Sequence, residues 1–290
     1  MISSMHNKRP SAQDLTLKDV TVSFAGIVPL DSVTLTVEPG ERLAVIGASG
    51  AGKTTLFRVL TRTVSLQGGR TIVGGRDLYS LSKKELKSVR RRVGSIYQAY
   101  NLVPQLPVGV NAAMGEIGGM GVWGALRTFL TGPEATLSSR VTYALDRVGL
   151  AEKARSRTAE LSGGQQQRVA VARLLVQRPD LVLADEPFAA VDRVTTERVF
   201  EALLELNREE ATLLVNLHDV EIARRFPRIV ALHKGRVAFD GPPEQLPEAA
   251  LNEIYAGEDP RRGPPPEPQE GGREKPFISL AEGRDGVASH

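Results

Sequence analysis

Short apolar runs, separated by stretches of helical periodicity, set the framework of this chain. Residues 15–22 and 32–37 alternate apolar and polar side chains, as in Val33-Thr34-Leu35-Thr36-Val37. Period two puts one face on a core and the other in water, so both segments are predicted to be half-buried antiparallel strands. Leu43-Ala44-Val45-Ile46 is apolar at every position and runs into a Gly-rich loop, after which a helix is predicted to start near Lys53. Further apolar strands are predicted at 181–184, 212–217 and 229–232, with helical stretches between them, notably 164–177 and 195–208. Strands apolar on both faces that alternate with helices predict a mostly parallel sheet covered on both sides, an α/β fold.

Residues 99–160 interrupt that rhythm with Gly-rich and then helical sequence. Leu137, Val141, Ala144, Leu145 and Val148 recur at helical spacing, so a mostly helical subdomain is predicted inside the core. The core domain is placed at residues 14–257, after a polar extension over 1–13. Beyond it, Pro264-Pro265-Pro266 and Gly271-Gly272 lie among scattered charges. That composition cannot bury enough apolar surface to offset ordering entropy, so 258–290 is expected to be a disordered tail. The 290 residues hold no Cys, which excludes disulfides and thiolate metal sites, and the net charge of +3 gives no reason to expect a nucleic-acid partner. The N-terminus lacks the apolar stretch of a signal peptide, and no segment offers 18 or so consecutive apolar residues. A soluble protein on the cytoplasmic side is expected.

Gly47-Ala48-Ser49-Gly50-Ala51-Gly52-Lys53-Thr54 sits between an apolar strand and a helix. Glycines let backbone N–H groups turn inward around phosphate oxygens, the helix start adds its positive end, Lys53 can reach the β- and γ-phosphates, and the Thr54 hydroxyl suits Mg²⁺. A chance Gly-rich turn is the bland alternative, and the strand and helix on either side argue against it. Asp185-Glu186 ends a buried strand, where paired carboxylates could equally be a solvated turn. Ser162-Gly163-Gly164-Gln165 opens a helical run, and an N-cap Ser followed by Gly leaves N–H groups and a helix dipole facing outward. This is a second anion site, with an ordinary capped helix as its plainer reading. Arg90-Arg91-Arg92 is expected to be a solvated face, and Trp123 a core or interface residue.

Leu161-Ser162-Gly163-Gly164-Gln165-Gln166-Gln167-Arg168, set between the phosphate loop and Leu181-Val182-Leu183-Ala184-Asp185-Glu186, decides among these. From about residue 14 to 257 the chain resembles the ATP-binding cassette (ABC) ATPases. The resemblance implies a P-loop ABC ATPase with an N-terminal antiparallel β subdomain and an inserted helical subdomain, binding ATP and Mg²⁺. It implies nucleotide contacts from Gly47, Ser49, Gly50, Gly52, Lys53, Thr54 and Thr55. It implies Mg²⁺ contacts from Thr54, Gln98 and Asp185, and Glu186 as general base on the attacking water. Gln98 matches the glutamine loop and His218 the switch histidine on the γ-phosphate. Ser162, Gly163, Gly164 and Gln165 would face the nucleotide of a partner copy, with Asp192 in the loop between subunits. Phe24 matches the aromatic that stacks on adenine, although a core strand residue would look the same.

Within that family, Gln98-Ala99-Tyr100-Asn101-Leu102-Val103 and the stretch from Leu217 to Phe226 look like the ATPase subunit of phosphonate importers. Two departures stand out: Gly109 replaces a bulkier residue and Val110 the usual Glu. The resemblance implies a head-to-tail dimer, two membrane permease subunits, an extracytoplasmic solute-binding protein acting indirectly, and a peripheral place on the cytoplasmic face of the inner membrane. The solute would be a phosphonate or the related oxyanions phosphite and phosphate. An ABC exporter or lipoprotein-release motor would carry the same ATPase motifs. An ABC ATPase acting on DNA or ribosomes would show coiled coils, tandem cassettes or zinc cysteines, and a P-loop kinase or GTPase would lack LSGGQ.

Overall fold

The computed structural model describes residues 14–97, 100–117, 135–188, 192–208 and 210–255. The first strands form an antiparallel sheet of β1 (Leu15–Phe24), β2 (Ile27–Val37), β4 (Gly68–Val73) and β5 (Arg76–Asp77), in the order β2-β1-β4-β5. The second sheet is the core. Its members are β3 (Arg42–Ile46), β6 (Val93–Ile96), β7 (Leu181–Asp185), β8 (Thr212–Asn216), β9 (Ile229–His233) and β10 (Arg236–Gly241), in the order β10-β9-β3-β8-β7-β6. All neighbours in it are parallel except β10, which pairs antiparallel with β9 at the edge.

The pleat sorts the core strands' side chains into two separate clusters. Leu43, Val45, Leu181, Leu183, Leu214, Val230 and Leu232 pack toward the antiparallel sheet and helix α1 (Lys53–Leu60). Ala44, Ile46, Val182, Ala184, Leu213, Val215, Ile229 and Ala231 pack on the opposite face. There they meet α3 (Val108–Ile117), α4 (Ala135–Arg147), α5 (Gly163–Gln177) and α6 (Arg193–Arg208). Burial on both faces explains the uninterrupted apolar runs. Helix α5 is buried almost all round, through Val169, Ala170, Val171, Ala172, Leu174, Leu175 and Val176, as expected of a helix wedged between a sheet and other helices.

The strands predicted for 15–22 and 32–37 pair as expected, but both are longer and belong to a four-stranded sheet. The helices predicted from 164 and 195 begin at Gly163 and Arg193. Helix α2 (Lys83–Arg92) was not foreseen, although Ser82 and Glu85 form a reciprocal capping box at its start. The arginine run at its end is solvated as expected at Arg90 and Arg91, with Arg92 partly buried, but it also makes contacts. The Arg90 guanidinium donates to the carbonyls of Thr61 and Arg62, and Arg92 pairs with Asp180, so two of the three hold the fold together.

In the inserted segment, the buried Asn111 side chain accepts from Val103 N–H at 2.8 Å. It also donates to the Thr158 hydroxyl at 2.8 Å, pinning the entry loop to the segment before α5. Gly109 donates to the Ala154 carbonyl at 2.9 Å, and a Cβ there would sit 3.2 Å from that oxygen. A side chain there would need that carbonyl to shift by a few tenths of an ångström. The expected tail at 258–290, the extension at 1–13 and Trp123 lie outside the described residues, as does part of the insert.

Phe57 on α1 is 1% exposed and packs between the two sheets. Phe57→Ala is expected to cost about 3–5 kcal/mol of unfolding free energy. Guanidinium unfolding followed by circular dichroism checks this; a loss under about 1 kcal/mol would mean the two sheets do not depend on α1 as described.

Candidate functional site: a phosphate loop and paired carboxylates at the sheet's C-terminal edge

Strand β3 delivers the chain into the loop 47–52, and α1 carries it away. Two glycines there are obligatory. A Cβ at Gly47 would lie 2.4 Å from the Leu232 carbonyl oxygen, and one at Gly52 would lie 2.2 Å from that of Pro29, with φ at +152° and +106°. The Lys53 ammonium is buried and donates to the carbonyls of Gly47 at 2.5 Å and Ala48 at 3.1 Å, so its charge lies within the loop. Gly235 ties the loop to the first sheet. Its N–H donates to Ala51 at 3.2 Å, and its carbonyl accepts from Asp31 N–H at 2.9 Å. Phe24 stands at the end of the β1–β2 hairpin, opposite Ile27, with 44% of its surface exposed.

Asp185 ends β7 and is buried. Its register partner on β8 is Asn216, whose side-chain amide donates to one carboxylate oxygen. The Thr54 hydroxyl donates to the other at 3.3 Å. Burial raises the Asp185 carboxyl above its ordinary value; the Asn216 hydrogen bond opposes that, and the neighbouring Glu186 charge adds to it. Glu186 is not simply the next pleat position. Its φ is +51°, a left-handed conformation that L residues adopt only when surroundings enforce it. Its N–H donates to the Asn216 carbonyl at 3.1 Å, and its carbonyl accepts from the Gln167 side-chain amide at 2.9 Å. Its carboxylate lies 2.8 Å from His218 Nε2. The His218 hydrogen bond holds the Glu186 carboxyl below the usual range, against a smaller opposing effect of burial.

The structure therefore gathers Gly47 to Thr54, Asp185, Glu186 and His218 at one edge of the sheet. Ser162 caps α5 in a reciprocal box with Gln165, and neither Ser162 nor Gly163 is buried. Asp192 caps α6, accepting the Thr195 N–H at 2.9 Å and hydroxyl at 2.7 Å, bonds that lower its carboxyl. Thr55 is half-buried as the third residue of α1. Gln98 lies outside the described residues. After His218, Asp219 caps the short helix α7 (Val220–Ala223). Arg225 beyond it lies 3.7 Å over the Phe200 ring and makes two 2.8 Å bonds to Glu197, joining this segment to α6.

Two residues of the site were not singled out from sequence. Asn216 had a visible signal, a lone amide in the apolar run Leu213-Leu214-Val215-Asn216-Leu217. Gln167 had a weaker one, since its spacing from Val171 and Leu174 turns it inward on α5.

A family model described as ABC transporter matches residues 30–189. The chain belongs to the ABC transporter ATP-binding family. This ABC ATPase is 44% identical over 234 residues to the phosphonates import ATP-binding protein PhnC of Alcaligenes faecalis, covering 79% of this chain and 83% of that one. It is 43% identical to the protein of the same name from Wolinella succinogenes, covering 84% of this chain and 89% of that one. Among solved structures, it resembles the dimeric ATP-binding cassette MJ0796 in a post-hydrolysis state bound to ADP and Pi. The TM-score is 0.71 at 29% identity, over 80% of this chain and all of that one.

Removing the Asn216 amide leaves a buried carboxylate without its donor. Asn216→Ala is expected to cost about 1–3 kcal/mol at pH 8. The folded-state pKa of Asp185 would rise further above the ordinary 3.8. The cost should therefore shrink as pH falls through that raised value and vanish below the unfolded one. Denaturant unfolding at pH 8 and near pH 4 measures the difference, and an equal cost at both would detach Asn216 from the carboxylate.

Proposed function

We propose that this ABC ATPase is the motor subunit of a phosphonate importer and works as a pair of copies beneath two membrane permease subunits. The solute rests on one observation: relatives at 37–44% identity bear the name phosphonates import ATP-binding protein. Phosphite and phosphate share the tetrahedral oxyanion chemistry and stand as the alternatives within this reading.

Glu186 is assigned as general base. Its carboxylate takes a proton from water as the water oxygen bonds to the γ-phosphorus and the bond to the β-bridging oxygen breaks, giving ADP and phosphate. Its lowered pKa keeps it ionised and able to accept. His218 orients the carboxylate and lies within reach of the γ-phosphate side. Lys53 and the loop N–H groups neutralise and position the phosphates, which is most of what a protein contributes to phosphoryl transfer. Phe24 offers an exposed ring for adenine.

The oxygen donors of Thr54 and Asp185 fit Mg²⁺, which needs only one or two protein ligands beside phosphate and water. No cluster of three or more His, Cys, Asp or Glu competes to cage a metal among the described residues. Bound there, Mg²⁺ would offset charge on the β- and γ-phosphate oxygens.

The capped N-terminus of α5 supports the dimer, because Ser162 and Gly163 are exposed there and open to a nucleotide held by a second copy. A groove of about 780 Å³ supports the permease contact. Lys83, Lys87, Arg91 and Arg173 give it positive charge, and Leu86 and Met114 give it an apolar floor. An acidic amphipathic segment suits such a groove. No described helix is long and apolar enough to cross a membrane, in keeping with a peripheral place on the cytoplasmic face.

Glu186→Gln is expected to keep ATP binding while turnover falls by roughly 10²–10⁴. Nucleotide binding and phosphate release, measured side by side, check this, and wild-type turnover would remove Glu186 from the mechanism. The solute is tested with the permease and binding protein reconstituted in vesicles. Phosphonate, phosphite or phosphate should stimulate ATPase activity and enter the vesicles. Stimulation by a sugar or amino acid and by no phosphorus oxyanion would overturn the solute while leaving the motor in place.

A further inference from the structure

Gln167 lies on α5 five residues beyond Ser162, and its side chain is 1% exposed. It does not face the nucleotide edge that Ser162 opens. Its amide Nε2 reaches across to β7's end and donates to the Glu186 carbonyl at 2.9 Å, while its Oε1 is buried with no partner. A buried amide that leaves its oxygen unsatisfied is costly, so packing alone does not account for a glutamine here; Met or Leu would fill the space without that cost. What the glutamine adds is the donor. The carbonyl it holds belongs to a residue in the left-handed region, and the Glu186 N–H is already held by the Asn216 carbonyl. Both ends of the Glu186 backbone are thus tied, one to β8 and one to α5. Rotating either peptide would swing the carboxylate away from His218.

We propose that Gln167 is a positioning residue for Glu186, setting the catalytic carboxylate from the same helix whose N-terminus serves the other copy's nucleotide. The proposal rests on the assignment of Glu186 as base and on the head-to-tail pair. In that pair Ser162 acts across the interface, whereas Gln167 acts within its own chain. Each α5 then touches both nucleotide sites, one by its N-terminus and the other through Gln167. Nucleotide engagement at Ser162 can so bear on the geometry of Glu186 through one rigid helix.

The test separates the two sites in mixed pairs assembled with the permease. One chain carries Ser162→Arg and its partner carries Lys53→Ala, so the surviving site uses the first chain's phosphate loop and Glu186 with the second chain's Ser162. Gln167→Met, matched in size but without the donor, is placed on either chain. On the first chain it is expected to lower kcat by between about 10-fold and 10²-fold, the range for a slightly misplaced catalytic group, with KM for ATP little changed. On the second chain the loss should be at least several times smaller. Equal losses, or a larger loss on the second chain, would overturn the proposal. A general weakening of α5 would give equal losses, because both arrangements carry one substituted helix. A change in KM with kcat intact would overturn it as well. Glu186→Gln on the first chain is the companion measurement. If that chain keeps its turnover, the assignment of the base fails. If it loses turnover while Gln167→Met does not, only the role of Gln167 fails.

Discussion

The pairing of Asp185 on β7 with Asn216 on β8 is the contact on which the rest of the site depends. The two residues are register partners at the C-terminal ends of parallel strands. The Asn216 side chain satisfies a carboxylate that burial would otherwise disfavour, and its backbone carbonyl takes the next N–H, that of Glu186. One amide residue therefore fixes both acidic positions. Slipping β7 against β8 by one residue would turn Asp185 to the other face of the sheet and separate it from Thr54. Strand register and site geometry are one constraint here.

The Glu186 conformation shows how the fold holds a strained residue where chemistry needs it. A left-handed non-glycine costs on the order of 1–3 kcal/mol and persists only when neighbours over-determine it. Three contacts do so: the Asn216 carbonyl, the Gln167 amide and His218. They come from β8, from α5 and from the segment after β8, so the carboxylate is set by three parts of the chain at once. The segment after β8 is in turn fastened to α6 by Arg225, stacked on Phe200 and paired with Glu197.

Much of this was legible in the sequence because period and local chemistry are local signals. The largely apolar runs at 43–46, 181–184, 212–217 and 229–232 announced strands buried on both faces, and the phosphate loop announced its own strand-to-helix turn. Strands β4, β5 and β10 were missed because each is short, polar on one side or interrupted by glycine, so alternation is weak over their length. Helix α2 was missed because Lys and Arg dominate it. It buries mainly Val89, and the structure holds its end through Arg90 and Arg92, contacts that no periodicity encodes. The roles of Asn216 and Gln167 depend on long-range contacts, 31 and 19 residues away in the chain, that only the folded chain brings together.

The position of β3 in the middle of the core sheet has a consequence for how the protein is made. Its neighbours are β8 and β9, and the Gly40 N–H that precedes it bonds to Thr212, 172 residues downstream. A chain emerging from the ribosome therefore presents Leu43-Ala44-Val45-Ile46 long before either partner strand exists. Both edges of an apolar strand are then open, an arrangement prone to wrong pairing. The phosphate loop is among the first segments synthesised, yet the Leu232 carbonyl that packs on Gly47 arrives only near the end of the domain. The packing around the phosphate loop is thus complete only once β9 has been synthesised.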